Sequence, residues 1–409
     1  MDRVLSLDMY ASAGVGVAAL LLGMFLTRKI PLLKRFCIPA PVSGGLLISI
    51  LTLLLYSVWG IRSSFDGTVK DLCMMLFFTS VGFLSDIKMI KKGGRPLIVM
   101  VALVAVLITA QNFISVGIAS GLKMDALFGM AAGSIPMCGG HGTSGGFSPL
   151  LEGLGLKGAS SITMAAATFG LVAGSLLGGP LGEALIRRHH LSEESGQSDI
   201  MTSIEASEAA PEASKTHTDE SSFRNYLTAM CMLILAMALG TGLSRLLALT
   251  GITFPTYFGA LLAACILRNL SGMSPKWEAR LSAPEITSIG DISLQLFLGM
   301  AMSSLYLWEL ASLALPLTLI LCTQVAFMAI YGAFVAFPLL GKDYDSAVLV
   351  SGLCGFGLGA TPNAMANMSA VCYKYRYAVH PFIIVPIIGA MFVDIINTGV
   401  ITVFLNLIH

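Results

Sequence analysis

A chain of 409 residues that is 56% hydrophobic and only 11% charged, with mean hydropathy +0.83, lies far from the balance of a soluble domain. Its net charge of +1 carries no signal for an anionic partner, and no basic cluster with interleaved aromatics points to nucleic acid. What remains is a polytopic, all-α membrane protein in a lipid bilayer, with no room between its apolar runs for a soluble enzyme domain.

The first run, Met9 to Leu26, is followed by Arg28 and Lys29 without a small-residue cleavage site, which predicts a spanning helix rather than a removed signal peptide. Further apolar runs follow near 40–58, 71–86, 96–118 and 160–185, then 225–246, 252–270, 288–307, 311–337 and 380–406. Together they predict ten transmembrane helices, each matched to a hydrocarbon core of ~30 Å. Residues 187–224 are rich in Ser, Glu and Thr and poor in large apolar side chains, the composition of a disordered linker. This divides the chain into 1–186 and 225–409, with five spans each. Lys and Arg concentrate on alternate loops, eighteen of the 24 on one side. By the positive-inside rule both termini are external and the linker is cytoplasmic.

Two apolar segments break that sign pattern if they cross: about 126–150, with Gly139 to Gly146 reading GGHGTSGG, and about 346–372, with GLCGFGLGATPNAMANM. Each reads as a re-entrant hairpin, which is tolerated at membrane depth only inside protein or beside a water-filled cavity. A constant offset of 220 aligns Asp71 with Asp291, Leu76-Phe77 with Leu296-Phe297, Pro96 with Pro316, Asp125 with Asp345 and Gly139 with Gly359. Because five spans per unit is odd, the second repeat must be inverted. Inverted repeats with broken helices at the midplane are an architecture of secondary transporters.

The polar residues in these segments define the candidate site. Free N–H groups at a broken helix attract carboxylate, and free carbonyls can coordinate Na+. Ser134, Thr143, Ser144, Ser148, Thr361, Asn363 and Asn367 add neutral oxygens that suit a hard cation or a polar substrate. The alternative is that such small residues pack helices. His141 is either a proton carrier, a ligand donor, or a neutral ring bonded to backbone at the tip. Asp394 and Asn397, one turn apart, read as a cation or substrate-amine contact, or as a tie to a neighbouring helix. Asp71, Asp125, Asp291 and Asp345 each begin an apolar run and are expected to cap it. Gln111, Asn112, Thr323 and Gln324 serve either packing or a path. The eight cysteines show no metal spacing and read as small buried apolar residues. No catalytic residue or organic cofactor is indicated.

The segments AGSIPMCGGHGTSGGFSPL (132–150), TMAAATFGLVAGSLLGGP (163–180), LWELASLALP (307–316) and CGFGLGATPNAMANM (354–368) resemble the bacterial sodium/glutamate symporters. The resemblance extends over nearly the whole chain, including IPAPVSGGLL (38–47) and FVDIIN (392–397). It implies an inner-membrane Na+-coupled L-glutamate carrier of ten spans, a homodimer, working by elevator-like displacement of a transport domain against a scaffold. It further implies that Gly139, Gly140, His141, Gly142 and Thr143 form one hairpin tip and Gly355, Gly357, Gly359, Ala360 and Thr361 the other. The expected substrate contacts are thus Ser134, Gly140, His141, Gly142, Thr143, Ser144, Gly359, Thr361, Asn363 and Asp394, and the expected Na+ contacts Gly139, Gly357, Asn367 and Asn397. Ile135-Pro136-Met137-Cys138 and Asn363 depart from the family pattern beside the site, which bears on substrate choice. The rival readings are a carrier of another small carboxylate, aspartate or a hydroxy acid, and an intramembrane enzyme using His141.

Overall fold

The computed structural model describes residues 3–36, 38–85, 87–191, 219–249, 254–271, 283–310 and 313–408. The first half contains α1 (Met9–Lys29), α2 (Pro31–Arg35), α3 (Ala40–Trp59), α4 (Thr68–Leu84), α5 (Ile87–Gly121), α6 (Ala126–Ala131), α7 (Ser134–Met137), α8 (Gly140–Gly153) and α9 (Ala159–Arg188). The second contains α10 (Asp219–Ala248), α11 (Phe258–Ser271), α12 (Ala283–Ser303), α13 (Leu307–Leu310) and α14 (Ala314–Tyr331). A π-helical turn at Gly332–Ala336 leads into α15 (Phe337–Leu340). Then come α16 (Tyr344–Gly357), α17 (Thr361–Lys374), α18 (Val379–Ile387) and, across a second π-helical turn at Ile388–Phe392, α19 (Val393–Ile408).

Among the described residues, seven helices are long and apolar enough to cross a membrane: Met9–Lys29, Ala40–Trp59, Gly94–Gly121, Ala159–Arg188, Ser222–Ala248, Ala283–Ser303 and Ala314–Leu340. The other three expected spans are shorter pieces. Helix α4 has 17 residues and α11 has 14, and the last is divided between α18 and α19, where Pro386 removes a backbone donor just before the π turn.

The chain is not wholly helical. Strand β1 (Arg3–Leu7) pairs in parallel with β2 (Ile61–Phe65), Arg3 opposite Ile61 and Leu7 opposite Phe65, and the Asp66 amide donates to Ser12 Oγ at 2.9 Å beside it. Five-residue strands flanked by apolar helices leave no periodicity of their own to read. Of the expected linker, Arg187 and Arg188 are the last turn of α9 and Asp219 already begins α10; residues 192–218 lie outside the described residues.

Of the four aspartates expected to cap helices, only Asp125 does, accepting from Leu127 N at 2.8 Å. Asp71 lies inside the first turn of α4 and Asp291 near the middle of α12, because Thr68–Lys70 and Pro284–Ser288 carry the helix well ahead of the apolar run. Asp345 sits in the first turn of α16 and pairs with His380 at 3.1 Å, while Asp343 caps that helix through Ser346 N at 2.8 Å. Cys73, Cys138, Cys354 and Cys372 are buried as expected, but Cys231 and Cys322 are exposed. Exposed helix faces are themselves apolar here, Leu235, Leu239 and Leu319 among them, so a thiol meets apolar surroundings on either side.

The helices pack as two bodies. Helices α1, α3, α4, α10, α11 and α12 pack chiefly on one another, and α5–α9 with α14–α19 form the second body. Small residues allow the closest approaches: a Cβ on Gly23 would lie 1.7 Å from the Ala40 carbonyl oxygen, and one on Gly44 1.8 Å from that of Ala19. Each half of the chain contributes to both bodies, so both breaks in helical structure, at Gly139–Gly140 and at Leu358–Ala360, fall in the second body.

Candidate functional site

The two breaks meet. Gly140, with φ +58, faces the other break so closely that a Cβ on it would lie 3.0 Å from the Gly359 carbonyl oxygen. Only Gly139–Gly140 is the turn; His141 to Gly146 are already helical in α8, and Gly355 and Gly357 are the end of α16. The segment GGHGTSGG is therefore mostly helix, and its glycines serve close approach: a Cβ on Gly142 would stand 3.1 Å from the Phe77 ring, and on Gly145 2.0 Å from Phe297. Helix α8 and helix α17 both begin at these breaks, and neither start has a side-chain cap. The first N–H groups of α8 and that of Thr361 are left for water or a ligand; Pro362 has none, and Asn363 N donates to the Ala360 carbonyl at 3.0 Å.

Between the two bodies, beside these helix starts, lies a cavity of about 320 Å³. The first body lines it with Phe77, Val81 and Leu84 of α4 and Asp291, Leu294 and Leu298 of α12. From the second body come Gly139, Gly140, His141, Gly142 and Thr143, then Gly359, Thr361 and Asn363, and finally Gly389 and Asp394. Asp291 and Asp394 are the charged groups on its wall, neither has an ion pair or hydrogen bond among the described residues, and no Lys or Arg lines it. The π turn after α18 places Gly389 at this wall, where a Cβ would meet Thr361 Oγ1 at 2.2 Å.

Other expected site residues stand behind this wall. Ser134 accepts from Asn397 Nδ2 at 3.1 Å through its carbonyl, while its amide donates to Asn112 Oδ1 at 2.9 Å. Ser134 Oγ, Thr143 Oγ1 and Asn397 Oδ1 are buried without a hydrogen-bond partner. Thr143 and Asn397 close on Gly139, where a Cβ would fall 2.5 Å from Thr143 Oγ1 and 2.6 Å from Asn397 Nδ2. Three orphaned neutral oxygens in a polar pocket suit a hard monovalent cation. Gly357 is committed elsewhere, its carbonyl accepting from Gln111 Nε2 at 2.8 Å. Asn367 donates to the Gly174 carbonyl at 2.9 Å and ties α17 to α9, away from the cavity. Ser144 lies against the Thr163 carbonyl at 3.4 Å, also on α9.

His141 lines the cavity, but its partner is a hydroxyl rather than backbone. Nε2 stands 3.0 Å from Thr168 Oγ1, and Thr168 gives its one proton to the Met164 carbonyl at 2.9 Å. Thr168 must then accept, which puts an imidazole proton on Nε2 and orients the ring.

Sequence reading missed the roles of Asp291 and Phe77 and left those of Gln111 and Asn112 open between packing and a path. Asp291 had been given to capping, and only a helix start placed at Ala283 reveals it as a mid-helix carboxylate. Asn112 and Gln111, adjacent on α5, hold one break each, Asn112 at Ser134 and Gln111 at Gly357, with Gln324 donating to the Gln111 carbonyl at 2.7 Å behind them. Phe77 shows no sign in an apolar run that it faces the breaks.

The family profile described as sodium/glutamate symporter matches residues 5–377. The chain is 39% identical to the sodium/glutamate symporter of Escherichia coli (strain K12) over 402 residues, 98% of each chain. It is 36% identical over 395 residues to that of Haemophilus influenzae, 96% of each chain. This chain belongs to the sodium/glutamate symporter family.

Proposed function

We propose that the protein is a secondary active carrier that couples Na+ entry to symport of L-glutamate across the bacterial inner membrane. The observation that carries this reading is the cavity itself. Two uncapped helix starts and two carboxylates without partners face one space that, among the described residues, no Lys or Arg lines. The helix starts suit the substrate carboxylates, and Asp394 suits its ammonium group. Glutamate brings net negative charge to a wall that is already acidic. Burying it without further cations would cost several kcal/mol per uncompensated charge, so substrate and cation occupancy are linked. The orphaned oxygens of Ser134, Thr143 and Asn397 are the site we assign to Na+. His141, oriented by Thr168, serves as a donor or a spacer on the substrate wall.

The two-body packing supports ten spans in two inverted five-helix repeats, residues 1–186 and 225–409. Each repeat supplies three helices to a scaffold, and a re-entrant hairpin between two spans to a transport body. Movement of the second body past α4 and α12 gives elevator-like alternating access. The termini are external, the linker is cytoplasmic, and the functional unit is a homodimer.

Uptake of labelled glutamate into proteoliposomes under an imposed Na+ gradient tests the proposal: accumulation that survives removal of Na+ sinks the coupling. Competition by unlabelled aspartate and hydroxy acids tests substrate choice, for which Cys138 and Asn363 on the cavity wall are the departures from the family pattern.

A further inference from the structure

The helices on either side of the second break, α16 and α17, come back together at their far ends. There the Tyr344 hydroxyl donates to the Arg376 carbonyl and accepts from the Arg376 amide at 3.2 Å, and the Arg376 guanidinium lies 4.7 Å over the Tyr344 ring. Tyr344 is buried, so its ring is a fixed platform, while Arg376 above it is exposed. Stacking covers one face of a guanidinium and leaves its in-plane N–H groups, the donors that hold an oxyanion bidentately. Among the described residues no carboxylate pairs with Arg376, nor with the exposed Lys342 two residues before Tyr344. The carboxylates nearby have other partners: Glu183 has Lys374 at 2.5 Å and Arg187 at 3.5 Å, Asp345 has His380 at 3.1 Å, and Asp343 accepts from the Ser346 amide at 2.8 Å. Over 183–190, 337–346 and 374–380 together, five Lys and Arg stand against three Asp and Glu, so this end keeps a positive surplus.

We infer that this end of the second body holds the phosphate of an acidic phospholipid, with Arg376 and Lys342 as its contacts. Its place in the fold favours a lipid over a soluble anion. Two helices long and apolar enough to cross a membrane, Ala159–Arg188 and Ala314–Leu340, end here. Leu339, Val379 and Ile383, on the elements that leave this end, are exposed apolar side chains of the kind that face acyl chains. Tyr373 is exposed beside Lys374, and Tyr377 stacks on Phe382 with ring centroids 5.0 Å apart, which are side chains suited to the headgroup layer. Basic residues at the ends of spans draw anionic lipid to such a place. Because Tyr344 opens α16 and Arg376 follows α17, a headgroup bound between Lys342 and Arg376 staples the two helices that flank the second break. The inference does not depend on which substrate is carried and rests only on the chain spanning a bilayer.

Thermal unfolding of the purified full chain in detergent, titrated with phosphatidylglycerol or phosphatidylcholine, tests this, because a ligand of the folded state raises the melting temperature with its concentration. Phosphatidylglycerol raises it and phosphatidylcholine, which carries no net charge, does not. R376Q and K342Q each move the phosphatidylglycerol concentration for half of the effect up about fivefold, the share of one basic residue in holding an acidic headgroup. R376K recovers only part of that loss, since it keeps the charge without the stacked fork. R28Q removes a cation from the end of α1 on the first body and leaves the half-effect concentration within about twofold. Equal stabilisation by the two lipids, an unchanged response in R376Q and K342Q, or an equal loss in R28Q overturns the inference. Stabilisation by inorganic phosphate that R376Q abolishes overturns the lipid assignment in favour of a soluble anion. K342Q, on an exposed loop side chain with no partner to lose, keeps the test decisive where R376Q does not fold.

Discussion

Gly140 and Gly359 bring two broken helices from opposite halves of the chain into close contact: a Cβ on Gly140 would lie 3.0 Å from the Gly359 carbonyl oxygen, so the opposing break would have to give way. Gly140 also holds φ +58, where an L side chain costs roughly 1–2 kcal/mol. Gly140→Ala therefore strains the backbone and pushes on the opposing break together. Expected is a fall in Na+-driven glutamate uptake of at least about tenfold, equivalent to ~1.4 kcal/mol, in protein that still elutes as wild type. Gly153→Ala, on the same helix with nothing within 4 Å of the new methyl, is the control and leaves uptake unchanged.

Asp394 is expected to be the acid that meets the substrate ammonium. Removing its charge in Asp394→Asn keeps the shape of the side chain and deletes the attraction. Uptake should fall by about a hundredfold, the ~2.7 kcal/mol typical of losing one charged hydrogen bond partner. Asp291→Asn, on the first body, should leave more activity than Asp394→Asn. Equal loss in both would mean that the two carboxylates act as one site. Initial rates over a range of glutamate concentrations decide between these.

How far these features were legible in the sequence depends on scale. The Gly-rich runs announced both breaks, and the offset that pairs Gly139 with Gly359 anticipated that they correspond, because glycine and proline mark interruptions in otherwise uniform apolar helices. Asp291 was misread because its role depends on where α12 starts, and polar residues such as Thr287 and Ser288 lie inside the helix rather than before it. The roles of Gln111 and Asn112 were closed to sequence reading for a different reason. Their partners at Gly357 and Ser134 are backbone groups 246 and 22 residues away, and backbone groups carry no signature in sequence.

The orphaned oxygens of Ser134, Thr143 and Asn397 predict a separable Na+ phenotype. Thr143→Val and Asn397→Ala each remove one neutral oxygen without touching Asp394. Expected is a rise of about tenfold in the Na+ concentration for half-maximal uptake, about 1.4 kcal/mol of cation affinity, with the glutamate KM at saturating Na+ within about threefold of wild type. Asn397→Ala should be the more severe, since it also releases the Ser134 carbonyl. A shift in glutamate KM with no change in Na+ dependence would move these oxygens from the cation to the substrate.

Asn367 separates structural from ligand roles. It was expected at the Na+ site, yet its amide donates to the Gly174 carbonyl at 2.9 Å and reaches that of Ser351 at 3.5 Å, pinning α17 to α9 and to α16. A Cβ on the neighbouring Gly178 would fall 2.1 Å from its Nδ2, so the amide fills a notch that no other side chain occupies. Asn367→Ala leaves buried carbonyls unsatisfied, at a cost of about 1–3 kcal/mol. The expected result is a lower melting temperature in detergent and less protein in the membrane, with the Na+ dependence of the surviving uptake unchanged. Asn367→Asp, which keeps the shape but loses the donor, should destabilise at least as much, whereas a cation ligand would tolerate or gain from the added charge. Na+ titrations of thermal stability on both variants distinguish the two roles, because a lost ligand removes the stabilisation by Na+ and a lost structural tie lowers stability equally with and without it.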